Sequence, residues 1–182
     1  MYSEDDKEIV RNFHENPRRH KNLKLLALNR DDGVDDLHEL ERRDIESLFK
    51  ASSEEFELLL IDLPTSYLEY TSYLGWFNVD NLLIVIDNDI NSVYALRKYM
   101  AQFTELNISH NKIILILNKN IGAIDTDAIE LLCGLKVFCT IPFSKRVVMD
   151  MNNSRTIFMS AGTMNDFRIK KAIKQIGKLI LD

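Results

Sequence analysis

Leu82-Leu83-Ile84-Val85-Ile86, then Asp89 to Ala101, then Ile113-Ile114-Leu115-Ile116-Leu117 form the stretch on which the fold turns. Two apolar runs without alternation indicate strands buried on both faces, the pattern of a parallel sheet covered by helices. Between them Asp89 can cap a helix in which Ile90, Val93, Tyr94, Arg97, Met100 and Ala101 recur at helical spacing. Strand, helix and strand in this order make a crossover unit.

Upstream, Phe56 to Ile61 is also continuously apolar at all but Glu57 and reads as a third buried strand. An acidic helix from about Arg43 to Ala51, closed by Ser52-Ser53, precedes it, and Leu23 to Leu28 reads as an earlier strand ending in turn residues. Downstream, Lys136 to Ile141 is a fifth strand, stopped by Pro142. The chain closes with an amphipathic helix from about Asn165, with Ile169, Ala172, Ile173, Ile176, Leu179 and Ile180 on one face and Lys170, Lys171, Lys174 and Lys178 mostly on the other. Alternating strands and helices predict a three-layer, Rossmann-like α/β domain, and in such sheets ligands sit beyond the carboxyl ends of the strands.

Length and composition agree with one such domain over 21–182, led by a flexible polar segment over 1–20 that holds at most a short helix from Asp6 to Phe13. Of the 182 residues, 46% are hydrophobic and 28% charged, enough to build a core and too apolar for wholesale disorder. The longest apolar runs fall far short of the roughly 20 residues of a membrane-spanning helix. No basic region followed by an apolar stretch opens the chain, and two cysteines, Cys133 and Cys139, are too few for a disulfide framework, so a cytoplasmic protein is expected. Charge is uneven: 31–57 holds eleven acids and three bases, net −8, and 136–182 holds nine bases and three acids, net +6. Only that last quarter is basic, so nucleic acid is not an expected partner.

At the strand ends, Asp62 in Ile61-Asp62-Leu63-Pro64 is placed to hold a water of a bound Mg²⁺, although a polar residue capping the next helix explains it equally well. Asn118-Lys119-Asn120 begins like the guanine-reading NKxD loop but has Ile121 where the base-pairing carboxylate belongs, and an amide such as Asn118 suits adenine instead. No GxxxxGK[ST] segment is present, and the six glycines stand singly, so nothing in the chain cradles a triphosphate unaided. His14, His20, His38 and His110 are dispersed without zinc-ligand spacing, and no GxSxG elbow occurs. Asp31-Asp32, Asp62 and Lys119 resemble loosely the acidic pocket and lysine of a receiver domain, but no Pro follows the lysine and Asp87-Asn88 stands where Ser or Thr belongs.

From about Asn22 to Asp182 the order of pieces resembles the later part of ParA/MinD-type P-loop ATPases, and most closely the CpaE/TadZ branch linked to pilus assembly. The resemblance is carried by Phe56 to Pro64, similar to a switch II strand with its DxP ending; by Asn118-Lys119, similar to the adenine-side Asn loop; and by Cys139-Thr140-Ile141-Pro142, similar to the strand ending in Ile-Pro. Lys145-Arg146-Val147-Val148 and Met151-Asn152 resemble the segment lining the base pocket. The family's deviant Walker A loop, KGGxGKS/T, is absent, so the resemblance implies a P-loop NTPase fold incomplete at its N-terminal side.

By this resemblance Asn118 and Pro142 border adenine and Asp62 serves the Mg²⁺ water shell, with ATP and Mg²⁺ bound only if the missing half is supplied. The implied function is an assembly or localisation protein of the CpaE/TadZ kind, inactive as presented, associating with itself as a dimer and with secretion or pilus proteins. The alternatives are the C-terminal part of an active ATPase and, from another class, the receiver-like domain. MinD proteins lie on anionic membrane through a C-terminal basic amphipathic helix, so the terminal stripe has two readings, a membrane surface on the inner face or packing on the sheet. Packing is favoured because the helix has no Trp and the sheet needs a final cover.

Overall fold

A computed structural model describes residues 14–15, 24–25, 42–66, 69–159 and 162–181. It divides into two compact units, Met1–Asn78 and Val79–Asp182. The expected helix Asp6–Phe13, Asp31, Asp32, His20 and His38 lie outside the described residues.

In the first unit, β1 (His14–Glu15) pairs antiparallel with β2 (Lys24–Leu25), the described part of the expected Leu23–Leu28 strand. Helix α1 (Arg42–Glu55) runs past the expected stop at Ser52-Ser53. Ser52 is buried in the helix, and the Ser53 hydroxyl donates to the Lys50 carbonyl, so neither serine ends it. Helix α2 (Tyr70–Asn78) was not anticipated. The Tyr70 hydroxyl donates to Glu46, which also receives Arg42 at 2.9 Å, and the Arg42 guanidinium lies 4.8 Å from the Tyr70 ring centre. The hydrogen bonds from Tyr70 and Arg42 hold the Glu46 carboxyl below its usual range.

The segment 56–61 corrects the sequence reading. It is an irregular run rather than a buried strand, with Leu59 and Ile61 half-buried and Leu58 and Leu60 exposed, Leu60 at 69%. It joins no sheet among the described residues, and none of its side chains is more than half-buried. What holds its far end is α2: the Ser72 hydroxyl donates to the Pro64 carbonyl at 2.9 Å, and Leu63 packs where a Gly75 side chain would stand.

The second unit is built on three parallel strands in the order β3 (Leu82–Asp87), β4 (Ile113–Asn120), β5 (Val137–Pro142). Helices α3 (Ile90–Glu105) and α4 (Thr126–Cys133) connect them, and α5 (Lys145–Asn152) and α6 (Met164–Leu181) follow. Residues 113–117 of β4 are all buried, Leu115 and Leu117 completely, as the unbroken apolar run requires; each such side chain contributes about 1.5–3 kcal/mol. Ile114 and Ile116 meet Cys139 and Ala172, with Ile176 and Leu179 packed alongside, so the α6 stripe covers one face of the sheet. By alternation Leu115 and Leu117 face the other side, where right-handed crossovers put α3 and α4.

Asp89 caps α3 as expected, accepting from the Ser92 amide at 3.0 Å and the Ser92 hydroxyl at 2.7 Å. The buried face of α3 is rotated from the expected one: Val93, Leu96, Met100 and Phe103 are buried, and Ile90 and Tyr94 are exposed. The helix packs against α4 as well as β3.

Candidate functional site

The carboxyl ends of the three strands are knitted together. Asp87 ends β3 in register with Asn118 of β4, and Asn120 pairs with Pro142 of β5. The buried Asn88 donates its backbone amide to the Asn118 carbonyl at 3.2 Å. Its side-chain oxygen accepts from the amides of Ala123 and Ile124 at 2.7 and 3.1 Å, and its nitrogen donates to the Ile124 carbonyl at 3.0 Å. One amide thereby fixes the whole loop after β4. Asn120 accepts from the Gly122 amide at 2.8 Å, and Phe143 donates back to the Asn120 carbonyl.

Lys119 stands at the centre of this edge. Its backbone takes φ 47°, the left-handed region that disfavours a side chain, and the β4–β5 register slips between Leu117 and Asn120 as a result. Its ammonium lies 2.7 Å from the Asp87 carboxylate, in a half-open pair that contributes at most about 1 kcal/mol. Asp89 is held below the usual carboxylate range first by the Ser92 amide, with Lys119 a lesser cause.

A second tie lies behind Pro142. Ser144 caps α5 and donates its hydroxyl to Asp166 at 3.0 Å; Asp166 also accepts from the Thr163 amide at 2.7 Å and lies 3.8 Å from Arg146. Asp166 is 2% exposed, and the Thr163 amide, helped by Ser144 and Arg146, holds its carboxyl low against the cost of burial. Gly162 is needed here, since a β-carbon on it would stand 2.6 Å from the Asp166 β-carbon.

The expected base-side residues, Asn118 and Pro142, thus sit at one sheet edge on neighbouring strands, both half-buried. Asp62 belongs to the other unit, exposed on the segment that α2 holds. Sequence reasoning placed Asp87, Asn88 and Lys119 at strand ends but missed the anchoring role of Asn88 and the Asp87–Lys119 pair. It missed Asp166 altogether, whose trace is a capping-box spacing from Thr163. Among the described residues no three His, Cys, Asp or Glu side chains gather as a metal site. Cys133 and Cys139 are free and buried, and burial pushes both thiols up, away from the reactive thiolate.

At this edge the half-exposed Lys119 is paired with Asp87, and Asp89 adds a further negative charge.

Comparison with solved structures matches this architecture. A ParA-family ATPase from Chlorobium tepidum TLS superposes with a TM-score of 0.70 at 15% identity, over 82% of this chain and 63% of that one. The fold is that of the ParA and MinD ATPases. The MinD cell division protein of Aquifex aeolicus gives a TM-score of 0.62 at 15% identity, over 79% of this chain and 62% of that one. The MinC:MinD complex from the same organism gives 0.61 at 18% identity, over 76% and 60%. This ParA/MinD-fold chain therefore spans less than two thirds of the length of each of these solved structures. No protein-family model matches the sequence, and no curated protein matches it significantly. Among the described residues no helix is long and apolar enough to cross a membrane.

Proposed function

We propose that this chain is an assembly or positioning protein on the ParA/MinD fold, acting in the manner of the CpaE/TadZ pilus proteins and not hydrolysing ATP by itself. One observation carries the reading: a chain with the ParA/MinD fold ends its strands in Asn118 and Pro142 but has no GxxxxGK[ST] segment, and its lysine at that edge is held by Asp87. Without such a loop and a free lysine, charge developing on a γ-phosphate has no clamp. On this reading the protein works by association, with itself and with partner proteins. Purified chain with ATP and Mg²⁺ shows no turnover above a blank. Turnover that disappears in Asp62→Ala overturns the proposal, because it demonstrates a complete site.

A second reading, part of a working ATPase, is favoured by the 60–63% of the solved chains that this chain spans. In that case Asp62 serves the Mg²⁺ water shell and Asn118 the adenine once a phosphate loop is present. The genomic sequence upstream of Met1 separates the two: an in-frame KGGxGK[ST] segment supports the second reading.

A further inference from the structure

Helix α5 buries no residue and leaves most of its apolar side chains open. Arg146, Val147 and Asp150 are half-buried, with Arg146 and Asp150 3.7 Å apart, whereas Val148, Met149 and Met151 are exposed, the methionines at 65% and 69%. An ordinary surface helix does the reverse. The Ser144–Asp166 bond joins the start of α5 to the start of α6, and there Met164 and Phe167 are exposed at 72% and 65%, with Phe158 also open in the short 3₁₀ turn that touches α6. On α6 the exposed row continues at helical spacing through Arg168, Lys171 and Lys174.

Exposed methionine and phenylalanine edged by arginine is the composition of a protein-binding surface, where flexible thioethers adapt to a partner. Its charge is one-sided. From 143 to 178 there are eight bases and two acids, and both acids, Asp150 and Asp166, are turned inward. A complement exists in every copy of the chain. The sequence 31–57 carries net −8, and in its first part Val34, Leu37 and Leu40 recur every three residues among Asp31, Asp32, Asp35, Asp36, Glu39 and Glu41.

We infer that the outer face of α5, with Met164 and Phe167 of α6, is the docking surface for the acidic stretch 31–57 of a second copy of this chain. The inference deepens the assembly reading by naming the partner and the face. The contact is heterologous: it joins different surfaces on the two copies and so extends into a ring or a filament. Charge attraction brings the copies together and apolar burial holds them.

Sedimentation velocity on the full chain tests it. The expected weight-average mass exceeds the 21.2 kDa monomer and falls toward it at about 0.5 M salt, where charges are screened. Met149→Asp with Met151→Asp weakens association by about tenfold or more, without changing the circular dichroism spectrum. Two charge variants, Lys171→Glu with Lys174→Glu and Asp35→Lys with Asp36→Lys, each associate poorly alone, and mixing them restores assembly because each supplies what the other lost. Association that persists in the methionine variant and shows no charge-swap rescue overturns this face while leaving self-association standing. A wild-type chain that stays monomeric overturns both. A monomer that instead binds phosphatidylglycerol vesicles through Met149 and Met151 assigns the face to lipid and also overturns the inference.

Discussion

Helices α5 and α6 are neighbours in sequence, both mix apolar and basic residues, and they use them in opposite ways. α6 lays Ile169, Ala172, Ile176 and Leu179 on the sheet and leaves Lys171 and Lys174 outside. α5 folds its charged pair inward, where the buried Asp166 gives Arg146 a partner, and leaves Val148, Met149 and Met151 outside. The difference teaches that a helix faces the core with whatever its neighbours can satisfy. An apolar sheet accepts an apolar stripe, and a buried carboxylate draws in a cation.

The largest effect should come from breaking the α6 side of this contrast. Ile169→Ala empties a position that is 4% exposed and is expected to cost about 2–5 kcal/mol in denaturant unfolding. A loss below half a kcal/mol, roughly the surface value, would show that the stripe is not core.

Asp166 is the pivot between the two helices. Asp166→Ala leaves Ser144, the Thr163 amide and Arg146 without their acceptor, an expected loss of about 1–3 kcal/mol at neutral pH. Because the folded carboxyl lies below its ordinary 3.8, its contribution is complete above that value and is lost as pH falls through the folded pKa. Stabilities of wild type and variant are therefore expected to converge in strong acid, and a constant gap down to the acid transition would remove the carboxylate from the explanation.

Gly162→Ala drives a β-carbon into Asp166 and is expected to cost about 1–3 kcal/mol. Combined with Asp166→Gly, which removes the β-carbon it meets, it should be less than additive, and strict additivity in a double-mutant cycle would separate them. The smallest effect belongs to α5: Met149→Ala changes stability by no more than about 0.5 kcal/mol, and a larger loss would mean that the methionine packs where the structure leaves it open.

Legibility followed the same physics. The crossover from Leu82 to Leu117 was readable because an unbroken apolar run needs cover on both faces, and a central strand with helices packed over the sheet supplies it. Phe56 to Ile61 has the same look but no ladder among the described residues, and half of its side chains stay open. The candidate site was half readable. Asn118 and Pro142 followed from strand ends, but Asn88 looked like any turn residue, and nothing local marks it as the anchor of Ala123 and Ile124, 35 and 36 residues away.

The sequence alone determined the α/β order, the cap at Asp89 and the apolar stripe of α6, because periodicity and short-range hydrogen bonding are properties of neighbouring residues. Only the tertiary structure decided that Lys119 is spent on Asp87, that Arg146 and Asp150 turn inward, and that Met149 and Met151 face out. Those outcomes depend on which groups distant segments bring within reach.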